Sequence, residues 1–315
     1  VSLNKRDEIL KAIDPASWPQ LLERSFEGAF LIDQEKNILF WNQGAESISG
    51  YSAAEAIGRK CSEKLLAPID EEGRLLCSQL CPVNKAVSEG LTQHLEIYIH
   101  HKEGYRLPVM MRIIPLHNSS QEVIGSAHIF IDTSPRLSMP PRAEELNRLD
   151  LIDTQTLIGN RTFLKIYLQS RLQEMQKFGL TFGLLLIDID HLGEINDLYG
   201  RLTGDRIIAT IARTLLSNLR FVDVLGRWGD DEFLAIITNV DESKLDVVAN
   251  KLRLLVQNSF IFTNGRSVSA TVSIGATLAR KRDNVKELTE RAEKLMYHSK
   301  WLGRNRVCSK LATSS

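Results

Sequence analysis

Three consecutive carboxylates, Asp230, Asp231 and Glu232, stand between Gly229 and an apolar run, Phe233-Leu234-Ala235-Ile236-Ile237. A second β-like run, Val222-Asp223-Val224-Leu225, precedes them. Two strand-like runs around a Gly-Asp break predict a hairpin with an acidic tip. Like charges crowded at a turn repel one another, and a divalent cation relieves that repulsion. A solvated acidic turn is the other reading. Further upstream, Leu184-Leu185-Leu186-Ile187 reads as a buried strand closed by Asp188-Ile189-Asp190. Carboxylates at the end of such a strand suit a hard cation with oxygen ligands.

Asn196-Asp197-Leu198-Tyr199-Gly200-Arg201-Leu202-Thr203-Gly204-Asp205 follows. In this order the motifs resemble the GGDEF family of diguanylate cyclases. That family carries a Gly-Gly-Asp/Glu-Glu-Phe hairpin after an Asp-x-Asp-x-Phe-Lys-x-Ile-Asn-Asp segment. The likeness covers the C-terminal half and starts near Asp153. There Asp153-Thr154-Gln155-Thr156-Leu157-Ile158-Gly159-Asn160-Arg161 matches the ends of the family's Asp-x-Leu-Thr-Gly-Leu-x-Asn-Arg, with Leu157 in place of the glycine.

The resemblance implies condensation of two GTP into cyclic di-GMP with loss of two pyrophosphates, by a homodimer in which each domain holds one GTP. It implies Mg²⁺ or Mn²⁺ held by Asp188, Asp231 and the Ile189 carbonyl, with Asp231 and Glu232 as the catalytic carboxylates. Asn196 and Asp205 match the guanine contacts. Lys300 and Arg304 match phosphate contacts, and their four-residue spacing puts both on one helix face if the helix persists through Gly303. Arg220 and Asp223 stand at the family's inhibitory site for the cyclic di-GMP product. The plain readings beside these are a helix cap for Asn196, a basic helix end for Lys300 and Arg304, and a surface ion pair for Arg220 and Asp223. Two departures bear on activity. Gly193 stands where the family commonly has a phosphate-binding lysine, and Asp230 replaces the second glycine of the hairpin. They favour the alternatives of a non-catalytic GTP or cyclic di-GMP receptor, or a dimeric regulatory protein.

Around these motifs the apolar spacing predicts helices. One carries Leu164, Leu168, Leu172 and Met175, and a second carries Ile207, Ile208, Ile211, Leu215, Leu216 and Leu219. Others span 242–257 and 285–300, with a strand at 267–278. Helices alternating with strands give a mixed sheet covered by helices.

The N-terminal half reads differently. Residues 1–17 suggest a leading helix. Residues 28–33 and 37–42 form a hairpin pattern, short helical pieces follow, and strand-like runs cover 94–101, 106–115 and 123–132. That order makes an α+β domain with one antiparallel sheet. It resembles a PAS domain over about 18–133, on Trp41-Asn42, Ala45-Glu46, Gly50-Tyr51, Glu55, Gly58, His101-Lys102-Glu103-Gly104 and Pro108-Val109. The resemblance implies sensing or dimerisation, with no particular ligand named. Residues 134–151 read as a linker broken by Pro135, Pro140 and Pro141, with a short helix over 143–151. The nucleotide domain then covers 152–315.

Cys61, Cys77 and Cys81 all fall in the sensor half. Pro82 is a good first helical residue, so Cys81 is expected at a helix N-terminus, where thiolate is favoured. With His100 or His101 the three thiols would suit zinc or an iron–sulfur cluster. The other reading is three reduced thiols packed in or near the core.

At 315 residues the chain is long enough for about two domains. Lys plus Arg and Asp plus Glu number 39 each, a balance that gives no push toward nucleic acid or an anionic membrane. No apolar run approaches the ~18 residues of a membrane helix, and no signal peptide is visible. Four cysteines without a paired framework fit a reducing cytoplasm.

Overall fold

The structure, a computed structural model, describes residues 20, 22–63, 65–77, 81–134 and 150–310. The leading helix expected at 1–17, most of the linker and the linker helix up to residue 149 lie outside the described residues. Two compact units emerge, the first lying within 20–133 and the second covering 150–310.

The first unit is a five-stranded sheet of order β2-β1-β5-β4-β3. Its strands are β1 (Gly28–Asp33), β2 (Ile38–Trp41), β3 (Gln93–His100), β4 (Arg106–His117) and β5 (Val123–Asp132). Helices α1 (Gln43–Ser49), α2 (Ala53–Ala56) and α3 (Pro82–Glu89) lie between β2 and β3 in sequence. Buried Asn42 organises the entry to α1. Its Oδ1 accepts from Ala45 N at 2.8 Å, capping the helix, and from Ala29 N at 2.7 Å. Its Nδ2 donates to Leu22 O and Glu27 O. Every hydrogen-bonding site of that buried amide is therefore used, which removes the cost of burying it. On the inner face of the sheet Phe30 stacks on His128 at 4.2 Å and meets Trp41 and Phe130. Burial pushes the His128 imidazole down to about 3, so it is neutral at ordinary pH.

In the second unit the sheet order is β12-β11-β6-β8-β7. The strands are β6 (Phe182–Ile189), β7 (Val224–Arg227), β8 (Glu232–Thr238), β11 (Val272–Leu278) and β12 (Val307–Cys308), with a separate hairpin of β9 (Ile261–Thr263) and β10 (Arg266–Val268). The β11–β12 pair is parallel and the other pairs are antiparallel, so the sheet is mixed. All eight residues of β6 are buried. Its side chains alternate between two cores. Leu185, Ile187 and Ile189 meet α5 (Leu192–Tyr199), α6 (Arg201–Ser217) and α7 (Glu242–Gln257) on one face. Leu184 and Leu186 meet α4 (Arg161–Phe178) and α8 (Val285–Trp301) on the other. Each such buried aliphatic side chain stabilises the fold by about 1.5–3 kcal/mol, which holds β6 as the fixed axis of the unit.

The helix starts follow their caps. Asn160, Asp241 and Asn284 each accept a backbone N–H from the first turn of α4, α7 and α8. Two expectations are corrected. The strand expected over 267–278 is split, with β10 ending at Val268 and β11 beginning at Val272. The helix through Lys300 does not continue through Gly303. It ends at Trp301, with Gly303 N donating to Lys300 O, Arg304 N donating to Ser299 O, and Gly303 at φ 111°. These are the paired closing bonds of a glycine-terminated helix.

Candidate active site

The acidic residues meet at one end of β6. The β6–β8 register pairs Asp188 with Glu232, and Ile189 N donates to Asp231 O at 3.1 Å. Ile189 thus stands beside both carboxylates expected to hold a cation. Asp188 is 3% exposed. Burial pushes its carboxyl up to about 6; Asp231 and Glu232 add to the rise, and Lys300 opposes it. The Glu232 carboxyl is also raised, first by burial and then by Asp231 and Glu293, with Lys300 and Arg161 opposing.

Lys300 Nζ lies 2.7 Å from Asp188 Oδ1. That contact requires α8 to lie close against β11. Gly275 permits it, because a Cβ there would stand 2.1 Å from Ala292 O. Arg161, first residue of α4, places its guanidinium 4.7 Å over the Trp228 ring beside the hairpin. Sequence reasoning assigned no role to Arg161 or Glu293. The seven-residue spacing of Glu293 from Lys300 on α8 is the signal that could have found the latter.

Asn196 and Asp205 are brought together by close packing of α5 on α6. A Cβ on Gly204 would fall 1.9 Å from Asn196 Oδ1, so the Asn196 amide rests against the backbone next to Asp205. Asn196 caps neither helix: the N-cap positions are His191 and Gly200. The exposed Asp205 carboxylate is oriented by Gln155, whose Nε2 donates to Oδ1 at 3.0 Å. Gln155 Oε1 in turn accepts from Arg227 Nη1 at 2.6 Å. Arg227 also donates to Gly229 O and Asp230 O and pairs with Asp153. One hydrogen-bonded chain therefore runs from Asp205 through Gln155 and Arg227 to the hairpin tip. Neither Gly229 nor Asp230 has left-handed backbone, so aspartate fits the tip without strain. The Asp230 side chain is exposed.

Arg304 does not share a helix face with Lys300. It lies in the exposed turn after α8, at φ 62°. The turn is held by Asp190, which the sequence groups with Asp188 as a strand-end carboxylate suited to a cation, and which the fold uses instead as a hydrogen-bond acceptor. Its buried carboxylate accepts from Thr271 Oγ1 and Ser273 Oγ at 2.7 Å each and from Asn305 N at 3.0 Å. Arg220 and Asp223 are joined in one turn before β7. Asp223 accepts from Arg220 N and Thr238 N, which makes its carboxylate a turn anchor.

The donors around Asp188 are all oxygens, which fits Mg²⁺ or Mn²⁺. Among the described residues, no three His, Cys, Asp or Glu side chains stand in metal-holding geometry as they are. The Lys300 ammonium pairs with Asp188. A cavity of about 200 Å³ lined by Arg171, Phe182 and Thr238 lies at the opposite end of β6 and touches none of these groups.

Residues 150–306 match the family described as diguanylate cyclase, GGDEF domain, and residues 27–135 match a PAS domain. The chain is a PAS domain followed by a GGDEF domain. It is 31% identical over 166 residues to diguanylate cyclase DosC of Escherichia coli (strain K12), covering 52% of this chain and 36% of that one. It is 34% identical over 169 residues to response regulator PleD of Caulobacter vibrioides (strain NA1000 / CB15N), covering 52% and 37%. The chain thus spans about a third of the length of these relatives. Among solved structures, the coiled coil and GGDEF domain of DgcB from Caulobacter crescentus, in complex with c-di-GMP, matches with a TM-score of 0.51 and 26% identity. The match covers 54% of this chain and 90% of that one. These relatives place the chain among cyclic di-GMP-related GGDEF proteins. Among the described residues no helix is long and apolar enough to cross a membrane.

Two outcomes follow from the geometry. A cation bound at Asp188 would have to displace the proton of its carboxyl, which sits at about 6, so if Mn²⁺ binds there its affinity should rise as pH climbs toward and through about 6. Below that it should weaken about tenfold per pH unit. Titration of free Mn²⁺ by electron paramagnetic resonance at pH 5 and 7.5 checks this, and equal affinities would contradict it. Asp190→Asn keeps the shape but cannot accept from all three donors. It should cost about 1–3 kcal/mol of stability and speed hydrogen exchange at the Asn305 amide; unchanged exchange there would refute the role of Asp190 in the turn.

Proposed function

We propose that the chain is a diguanylate cyclase that condenses two GTP molecules into cyclic di-GMP. The observation that carries this reading is the buried Asp188, crowded by Asp231 and Glu232 and met by the Lys300 ammonium at 2.7 Å. Such a cluster of carboxylates is the kind of site where a divalent cation relieves repulsion. Asp188, Asp231 and the Ile189 carbonyl would hold the divalent ion, which neutralises charge on the reacting phosphate when bound.

The chain's own groups do the rest. Lys300 and, in the neighbouring turn, Arg304 would supply the positive charge that meets the triphosphate. Glu232, its carboxyl raised by burial, accepts the proton of the attacking 3′-hydroxyl. Asp205 accepts both hydrogens of the guanine N1 and N2 edge, and Asn196 stands beside it. Adenine offers no such pair and leaves the carboxylate without donors. One domain holds one GTP, so the reaction needs two copies face to face.

Incubation of the protein with GTP and Mg²⁺, with the nucleotides resolved by chromatography, should show cyclic di-GMP. In Asp231→Ala the rate should fall about a hundredfold or more. Undiminished product from that variant would remove Asp231 from the site.

Gly193 favours a second reading. A Cβ there would meet nothing within 4 Å, so space for the family's lysine is present and the cation is missing. In that reading the domain binds cyclic di-GMP without making it, at Arg220 and Asp223. Arginine can fork to guanine and phosphate. Calorimetry should show weaker cyclic di-GMP binding by Arg220→Ala under either reading, and binding by the wild type without turnover of GTP would select the receptor. Unchanged affinity in the variant would exclude this turn as the product site.

A further inference from the structure

The three cysteines of the PAS domain converge on one turn, a feature the nucleotide chemistry does not use. The turn between β1 and β2 is held by Asp33, whose Oδ1 accepts from Asn37 N at 2.7 Å and whose Oδ2 accepts from Asn37 Nδ2 at 2.8 Å. Lys36 sits in it with left-handed backbone, φ 67°. Its carbonyl accepts from Cys61 N at 2.9 Å, and its ammonium stands 3.7 Å from Cys81 Sγ. Cys77 Sγ reaches the Cys61 carbonyl at 3.9 Å. Cys61, Cys77 and Cys81 are all free and partly exposed, whereas Cys308 is buried. Cys81 is the N-cap of α3, with Pro82 as its first residue.

We propose that these residues form an oxidisable dithiol site, with Cys81 as the attacking thiol, Lys36 as its counter-charge, and Cys61 or Cys77 as the resolving thiol. The three cysteines differ in environment. Burial, reinforced by the neighbouring thiols, pushes Cys61 up to about 11 and Cys77 up to about 12. Those two hold their protons at ordinary pH. Lys36 also acts on the other two thiols, but its ammonium makes contact with the Cys81 sulfur, at 3.7 Å.

A hydroperoxide is the oxidant whose chemistry fits. Cys81 sulfur attacks the distal oxygen, the O–O bond breaks, and the alcohol or water leaves with the thiol proton; Cys81 is now a sulfenic acid. The resolving thiol then attacks Cys81 sulfur, the S–S bond forms and the S–O bond breaks. Its proton leaves with the hydroxide as water. Two thiols and one hydroperoxide give one disulfide, one alcohol and one water.

The test treats the reduced full chain with one equivalent of hydrogen peroxide, alkylates the remaining thiols, and maps peptides without reduction. The expected result is a disulfide joining Cys81 to Cys61 or Cys77, with Cys308 still free. Cys81→Ser should leave Cys61 and Cys77 alkylatable. Lys36→Met, which removes the charge and keeps every sulfur, should slow disulfide formation about tenfold. A Cys61–Cys77 bond forming at the wild-type rate in Cys81→Ser, or oxidation of Lys36→Met at the wild-type rate, would overturn the proposal. So would a protein purified with stoichiometric zinc that shields all three thiols, since that assigns the cluster to a metal.

Discussion

Burying two carboxylates at the end of an apolar strand is the constraint on which the GGDEF unit depends. Desolvating a carboxylate is costly unless it is paired or hydrogen-bonded. Asp188 lies near the end of β6 and Asp190 in the turn just after it, and the protein answers each in a different way. Asp190 receives three neutral donors, Thr271, Ser273 and the Asn305 amide. That arrangement fixes the turn after α8. Asp188 receives one ammonium and has two more carboxylates beside it. Its counter-charge can be exchanged without breaking a strand or a helix. One carboxylate is structural and its neighbour is available, and the difference lies in the donors that surround them.

The hairpin shows the same economy at its tip. An aspartate in place of a glycine would be damaging if the backbone there were left-handed, and it is not. Arg227 holds the carbonyls of both tip residues, so hairpin geometry depends on an arginine at the strand end and on no special φ. Through Gln155 the same guanidinium is tied to Asp205. The carboxylate that would read a base and the hairpin that would serve the phosphate are therefore positioned by one network. Gln155 stands at the leucine position of the family's Asp-x-Leu-Thr run, and a leucine could make neither bond.

Much of this was legible in the sequence because it is periodic. The stripes of α4 and α6 and the unbroken apolar run of β6 named their elements and their buried faces. Caps such as Asp241 and Asn284 set where helices start. What escaped was what periodicity does not encode. The apolar alternation of Val268, Ala270 and Val272 continues across a break in pairing, so β10 and β11 read as one strand. Lys300 and Arg304 looked like neighbours on a helix until the closing bonds at Gly303 turned the chain. The contacts of Lys300 with Asp188 and of Gln155 with Asp205 join residues 112 and 50 positions apart, and no local pattern announces them. In the PAS domain the motif order gave the sheet, but the approach of Cys81 to Lys36, with Cys61 held on the Lys36 carbonyl and Cys77 on the Cys61 carbonyl, depends on a turn conformation visible only in the fold.

In the proposed cyclase three species would compete for the Asp188 carboxylate: a proton, the Lys300 ammonium and a divalent cation. Burial favours the proton, because a neutral acid needs no counter-charge. The ammonium opposes the proton but brings a single positive charge on a flexible stem. A divalent ion brings two charges and can engage Asp231 and the Ile189 carbonyl at the same time. Near neutral pH the proton is the weakest of the three, since the carboxyl sits at about 6. The choice is then between ammonium and metal. Each would otherwise lose something on exchange: the ammonium its partner, the metal part of its water shell. A nucleotide triphosphate removes both losses at once, since its oxygens can coordinate the ion and accept the released lysine. If the chain binds them, the buried carboxylate would be better satisfied with metal and nucleotide together than with either alone, a coupling that would follow from the position of one lysine.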